Sequence, residues 1–151
     1  MANTFTSLHY HVVFSTRNRE PWIKPLIEQR IWAFLGGIAR ENKMKAITIG
    51  GVEDHLHLLL AIPPTLTVSK ALQLLKGGSS AWIKQTFPGM RRFGWQDGYG
   101  AFTVSKSQIP QVTAYIQVQR KHHRKKTFQE EFKAFLKKHD IEYDERICGD
   151  E

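Results

Sequence analysis

The order of strand-like and helix-like segments constrains this chain more than any other feature. Runs with strand character occur at residues 8–15, 45–52 and 56–62, and a short fourth run occurs at about 102–105. After the first run and after the third, apolar residues recur at spacings of three and four, which is typical of a helix that faces a core. The order β-α-β-β-α-β is that of the split βαβ, or ferredoxin-like, arrangement. We therefore expect an α+β fold, in which an antiparallel sheet has helices on one face and is followed by C-terminal helices.

Turn and capping residues predict where the first elements begin and end. Pro21 or Pro25 suits the first turn of the first helix, and Thr67 can cap the second. The dipeptide Glu53-Asp54 predicts a hairpin turn between the second and third strands. These signals leave no room for a linker, so we expect a single domain over residues 1–151.

The C-terminal third of the chain predicts two further helices. Pro110 lies in the first turn of a helix expected to reach about His122, and Thr127 with Glu130 forms a capping-box pattern for a last helix to about Lys138. Residues 140–151 form an acidic tail.

The charge of the chain predicts a polyanionic partner. Its 22 Lys and Arg residues against 14 Asp and Glu residues give a net charge of +8, and much of the excess lies in residues 117–138. The lone Cys148 cannot form an intramolecular disulfide, and the most apolar run is far shorter than the roughly 20 residues of a membrane span. We therefore expect a cytoplasmic protein, without a membrane partner, that binds nucleic acid. A solvated basic helix would produce the same pattern.

Two pairs of histidines have the spacing of metal ligands on a strand. His55 and His57 point to the same face because alternate residues of a strand share a face. His9 and His11 have the same spacing in the first strand, so spacing does not choose between the two pairs.

A phenol and a carboxamide lie one helical turn apart after Pro110. Tyr115 and Gln119 are at positions i and i+4, which places them on one face of the expected helix. Such a tyrosine is most often a packing residue. Its catalytic alternative is nucleophilic attack on a phosphodiester, with a metal ion to polarise the phosphate.

Three segments together resemble a known family. They are residues 54–60 (DHLHLLL), 95–102 (WQDGYGAF) and 115–123 (YIQVQRKHH). In this order they resemble the small HUH-type single-tyrosine transposases of minimal bacterial insertion sequences and their repeat-associated relatives, over essentially the whole chain.

The resemblance implies a role for four residues. His55 and His57 would be metal ligands, Gln119 the third ligand, and Tyr115 the nucleophile that forms a 5′-phosphotyrosine. The metal would be Mg²⁺ or Mn²⁺, and the activity would be cleavage and strand transfer of single-stranded DNA that bears hairpins. The family acts as a homodimer, with Tyr115 serving its own or the other subunit's metal site. His9 and His11 are left as structural or DNA-adjacent residues.

Two other functions remain open from the sequence. One is a domesticated relative that cleaves repeat hairpins without moving an element, and the other is a non-catalytic nucleic-acid-binding module of the same fold. For all three functions the candidate DNA contacts are the same basic residues spread along the chain: Arg17, Arg19, Lys76, Arg120, Lys121 and Arg124.

Overall fold

The computed structural model describes residues 3–122 and 126–143 of the 151-residue chain. Over these residues the strands are β1 (His9–Ser15), β2 (Lys45–Val52), β3 (His55–Ala61) and β4 (Gly100–Thr103). The helices are α1 (Pro25–Glu41), α2 (Val68–Thr86), α3 (Ile109–Gln117), α4 (Gln119–His122) and α5 (Phe128–Lys138). The element order therefore confirms the expected β-α-β-β-α-β pattern with helices after it.

The four strands form one antiparallel sheet in the order β2-β3-β1-β4. Strands β2 and β3 are joined at Glu53-Asp54, as the sequence predicts. The two central strands pair so that His11 lies opposite Leu59 and Val13 lies opposite His57. This register sets which side chains meet on each face of the sheet.

The two faces of the sheet have different partners. Even-numbered residues of β1 and β3, such as Val12 and Leu58, pack with α1 and α2 in the main apolar core. Odd-numbered residues lie on the opposite face, where Val13 and Phe102 pack against apolar residues of α5. Helices α1 and α2 thus cover one face, and the C-terminal helices cover the other.

The capping signals of the sequence are all used. Pro25 opens α1, and the Thr67 side chain accepts a hydrogen bond from the Lys70 amide at the start of α2. Thr127 and Glu130 form a complete capping box at α5. Because α5 packs on the second face of the sheet, this cap also defines the residue at which the helix on that face begins.

The helix after Pro110 is interrupted, in contrast to the single helix expected from the sequence. Helix α3 ends at Gln117, Val118 has non-helical angles (φ −113°, ψ 32°), and α4 begins at Gln119. The Gln119 side chain is 2% exposed whereas Arg120 is exposed and forms an ion pair with Glu53. The break therefore divides the segment into two short helices while keeping Gln119 buried.

Strand β4 begins at Gly100, slightly before the expected position. A Cβ at Gly100 would lie 2.8 Å from the Phe132 ring, so a residue without a side chain is needed where α5 crosses the strand. In the described part of the chain, no helix combines the length and apolar character needed to cross a membrane.

Candidate metal and nucleophile site

The histidine pair of β3 lies on the face covered by the C-terminal helices. His55 and His57 are fully buried, and the Nε2 atoms of both face one carboxylate oxygen of Glu131. Glu131 Oε1 is 2.9 Å from His57 Nε2 and 3.5 Å from His55 Nε2. Among the described residues, these three form the one group of His, Cys, Asp or Glu side chains whose ligand atoms could hold a metal ion together.

Glu131 is the site residue that the sequence reasoning missed. It lies in the basic stretch of residues 117–138, and from the sequence it is interpreted as one of two acidic residues on a solvated helix. In the structure it is 1% exposed. The available signal was its place in α5, three residues after Phe128 and five before Leu136, both of which are buried. A carboxylate within such an apolar stripe is expected to have a partner.

Tyr115 joins this group through the second oxygen of the same carboxylate. Its hydroxyl donates a hydrogen bond to Glu131 Oε2, and its ring centre is 5.8 Å from that of His57. Burial raises the pKa of Tyr115 above the usual value for a phenol, and Glu131 raises it further. The hydroxyl therefore holds its proton at neutral pH, with a carboxylate oxygen placed to receive it.

Each buried histidine also has a partner at its other ring nitrogen. His55 Nδ1 donates to Asp54 Oδ1 over 2.7 Å, while His57 Nδ1 and His11 Nε2 share a hydrogen bond of 2.8 Å. Burial disfavours the charged form of His55, but the hydrogen bonds with Asp54 and Glu131 outweigh it, so the pKa of His55 is raised. Burial and the neighbouring His57 lower the pKa of His11 to about 3.

Gln119 is buried beside Tyr115, as its spacing suggested. Its Nε2 donates to the Tyr115 carbonyl over 3.2 Å. Its Oε1 is buried and has no hydrogen-bond partner in the described part of the chain. An amide oxygen in this state is available as a ligand for a hard cation.

The donor set fits a divalent cation. Two imidazole nitrogens and one carboxylate oxygen lie within 4.8 Å of one another, and the orphaned amide oxygen of Gln119 adds a further candidate. Imidazole with carboxylate and amide oxygens suits Mn²⁺, and carboxylate-bearing sites with open positions suit Mg²⁺.

A cavity of about 600 Å³ opens beside the tyrosine, between β4, α3 and α5. His11, Tyr115 and Glu131 form part of its wall, and Lys126 and Lys138 lie at its margin. The phenol is therefore accessible to a ligand from this side.

The candidate DNA contacts divide into three groups: exposed residues, residues whose side chains are engaged within the fold, and residues whose side chains are outside the described part of the structure. Arg17 and Arg120 are both exposed. The Arg17 guanidinium lies 3.9 Å from Asp97, and that of Arg120 lies 2.6 Å from Glu53. Lys76 is engaged within the fold, since its Nζ donates to the Gln96 and Gly98 carbonyls. Arg19 is engaged as well: with the Gln129 amide oxygen turned toward it, the Arg19 guanidinium donates hydrogen bonds to that oxygen. Only the backbone of Lys121 is described, and Arg124 lies outside the described residues.

Solved structures share this architecture. The fold superimposes with a TM-score of 0.64 on a crystal structure from Deinococcus radiodurans assigned as a transposase, at 23% identity, covering 77% of this chain and 94% of that one. A REP-associated tyrosine transposase bound to a REP hairpin matches with a TM-score of 0.60 at 13% identity, covering 82% and 74%. These likenesses place the chain in the class of α+β proteins with this ferredoxin-like fold.

Sequence relatives narrow the class to a family. The chain is 27% identical over 117 residues to the ISDra2 transposase TnpA of Deinococcus radiodurans, covering 74% of this chain and 84% of the relative. It is 29% identical over 127 residues to the transposase for insertion sequence element IS200 of Salmonella typhimurium, covering 81% and 80%. The family model described as "Transposase IS200 like" matches residues 4–119. The chain therefore belongs to the IS200-like transposases, which confirms the family expected from its motifs.

Proposed function

We propose that this transposase cleaves single-stranded DNA through a covalent bond to Tyr115 and then transfers the attached strand. The Tyr115 oxygen attacks the phosphorus, the bond from phosphorus to the 3′-oxygen breaks, and that oxygen leaves as a 3′-hydroxyl after taking a proton. A DNA 3′-hydroxyl later attacks the 5′-phosphotyrosine and releases the tyrosine. The observation that supports this best is the bridging carboxylate of Glu131, which places the phenol beside the histidine pair within one chain.

The residues around Tyr115 have separate roles in this reaction. His55 and His57 hold the divalent cation through Nε2, with Gln119 and Glu131 as oxygen ligands. When bound, the cation acts as a Lewis acid on the phosphate and the leaving oxygen. The hydrogen bond from Tyr115 to Glu131 orients the phenol and gives its proton a place to go.

The nucleic acid is proposed to be a single strand that bears hairpins. Support comes from the net charge of +8 and from the likeness to a REP-associated tyrosine transposase bound to a REP hairpin. Arg17 and Arg120 are the candidate phosphate contacts whose side chains are exposed in the structure. We also propose that the protein acts on two DNA ends as a homodimer, and that it is located in the cytoplasm.

A covalent-adduct assay tests the proposal. A labelled hairpin-bearing single strand is incubated with Mn²⁺ or Mg²⁺ and resolved on a denaturing gel. We expect an adduct for the unsubstituted protein, none for Tyr115→Phe, and an unchanged yield for the matched control Tyr99→Phe, which alters a phenol on the other side of the sheet. His57→Ala or EDTA should also abolish the adduct. An adduct with Tyr115→Phe would refute the nucleophile.

The same assay separates a second candidate function. The likeness to a structure bound to a REP hairpin supports including as a candidate a nuclease that cleaves repeat hairpins without moving an element. Such a protein would form the adduct but would give no joined product when a second DNA end with a free 3′-hydroxyl is supplied. Hairpin binding without any adduct would instead indicate a non-catalytic binding module.

A further inference from the structure

His11 is a buried polar residue that the proposed reaction does not use. It lies on β1, is 4% exposed, and belongs to the histidine pair that the sequence left without a role. In the antiparallel register it lies opposite Leu59, which makes it a diagonal neighbour of His57 on the same face. The strand pairing therefore brings together two histidines that are 46 residues apart in the sequence.

The contact between these histidines determines which nitrogen of His57 carries the proton of the neutral ring. His57 Nε2 faces Glu131 at 2.9 Å, while His57 Nδ1 lies 2.8 Å from His11 Nε2. A neutral imidazole has one protonated nitrogen and one bare nitrogen, and only the bare nitrogen can bind a metal ion. When the Nδ1–H of His57 donates a hydrogen bond to His11 Nε2, the proton of the neutral ring is on Nδ1, and the unprotonated Nε2 points into the site beside Glu131.

His55 has the same arrangement with a different partner. Its Nδ1 donates to Asp54 Oδ1 over 2.7 Å, and its Nε2 faces Glu131. Both imidazoles are thus held at Nδ1, by a carboxylate in one case and by an imidazole in the other. Partners of this kind orient ligand histidines and strengthen metal binding in many proteins.

We propose that His11 is a positioning residue of the metal site, whose Nε2 accepts a hydrogen bond from the Nδ1–H of His57 and so directs His57 Nε2 toward the cation. This inference rests on the proposed function, in which His55 and His57 hold a divalent ion. It assigns different roles to His9 and His11 despite their equal spacing. His9 is only half-buried and makes a long contact of 3.5 Å with Ser7.

Packing is the competing explanation for a buried ring at this position. The His11 ring meets Phe135 edge-on at a centroid distance of 4.9 Å, so an apolar ring of similar size could fill the space. The two explanations differ in what His11→Phe should do. Packing predicts normal metal binding by the folded variant, whereas positioning predicts weaker binding.

The test measures Mn²⁺ affinity directly, by electron paramagnetic resonance of free Mn²⁺, with every variant made in a Tyr115→Phe background so that no chemistry occurs. We expect His11→Phe to weaken Mn²⁺ binding by about 10- to 100-fold. His11→Gln should stay within a few-fold of the reference, because its amide oxygen can take the place of Nε2. His9→Ala is the matched control and should bind as the reference does.

A second comparison covers the case in which His11→Phe folds poorly. His11→Asn carries the same amide as His11→Gln but is one bond shorter, so its oxygen falls short of His57. We expect the asparagine variant to lose Mn²⁺ affinity and the glutamine variant to retain it, with similar melting temperatures.

The outcomes separate this inference from the proposed function. If the reference protein binds Mn²⁺, His57→Ala abolishes binding, and the His11 variants bind normally when folded, His11 is only a packing residue and the inference fails alone. If the reference protein does not bind Mn²⁺ at all, or His57→Ala has no effect on binding, the metal role of the pair fails and the inference fails with it.

Discussion

Glu131 links Tyr115, the proposed nucleophile, to the histidine pair through its two oxygens. Oε1 faces the imidazoles and Oε2 accepts the hydrogen bond from Tyr115. One side chain therefore contacts both the candidate metal ligands and the phenol, although it lies 74 residues after His57 in the sequence.

Replacing this carboxylate should impair both functions. We expect Glu131→Gln to reduce the rate of adduct formation by at least about tenfold and to raise the Mn²⁺ concentration needed, because an uncharged amide is a weaker ligand and a weaker proton acceptor than a carboxylate. A gel-based time course at several Mn²⁺ concentrations measures both effects.

The adjacent acid provides the matched control. Glu130 is exposed, and its side chain caps the first turn of α5. Glutamine also serves at this position of a capping box, so Glu130→Gln should form the adduct at the normal rate. Equal rates for the two variants would contradict the role of Glu131.

His11 should make the protein less stable in acid. Its pKa is lowered from 6.5 to about 3 by burial, so below pH 6.5 the unfolded chain binds a proton that the folded chain refuses. Folding stability is then lost as the pH falls through this window, by up to about 2 kcal/mol between pH 7 and pH 5. Because the raised pKa of His55 acts in the opposite direction, the test is the difference between two proteins: on acidification from pH 7 to pH 5, urea unfolding with EDTA present should show a less favourable stability change for the unsubstituted protein than for His11→Gln. Equal changes would contradict the low pKa of His11.

At the scale of elements, Tyr115 is positioned by a close approach of α3 to β2. A Cβ at Gly50 would lie 2.4 Å from the Ile116 carbonyl oxygen, which leaves no space for a side chain. Ile116 is fully buried and follows Tyr115 directly in the chain. Because Gly50 has no side chain, α3 can lie this close to β2, and this approach sets the distance of the phenol from the sheet.

Alanine at this glycine should displace α3. We expect Gly50→Ala to lower the free energy of unfolding by about 1–3 kcal/mol and to slow adduct formation at least tenfold, since the helix must move away from the strand. Thermal melting and the gel assay measure the two effects.

A glycine in α2 offers the opposite case. Gly77 is exposed in the middle of that helix, and a Cβ there would meet nothing within 4 Å. Gly77→Ala should therefore stabilise the protein by about 0.5–1 kcal/mol and leave adduct formation unchanged. A normal rate for Gly50→Ala would show that α3 does not need this close approach.

At the scale of the whole molecule, one chain contains both halves of the site. The Tyr115 hydroxyl bonds to Glu131 of the same chain, which in turn contacts the histidines of the same chain. The sequence left open whether Tyr115 serves its own or another subunit's metal site. This geometry favours the first arrangement.

Mixing two inactive variants tests this arrangement. Tyr115→Phe lacks the nucleophile and His57→Ala lacks a ligand, so a mixture should remain inactive if each site is built within one chain. The adduct yield on a denaturing gel measures it, after the mixture has been unfolded and refolded together to allow exchange. Recovery of the adduct would show that the tyrosine serves a second copy.

The order of strands and helices along the chain was predictable because it depends on local patterns, whereas the choice of His55 and His57 over His9 and His11 came from the family resemblance. Alternation and turn residues define β3, and alternation alone places His55 and His57 together. The contact of His11 with His57 depends on the register of two strands, and the contact of Glu131 depends on how α5 crosses the sheet. Neither is encoded in the spacing of nearby residues. The interruption at Val118 was missed for a similar reason, since no Gly or Pro marks it.

The alternation of β1 and β3 has a consequence for protein engineering. The even-numbered side chains belong to the apolar core with α1 and α2, whereas the odd-numbered ones, including His11, Val13 and His57, lie on the face that carries the candidate site. A library that randomises only the histidine positions of these strands, and keeps the even-numbered residues and Val13, would leave both apolar clusters intact. The sheet can therefore serve as a scaffold on which ligand sets are exchanged independently of the structure that supports them.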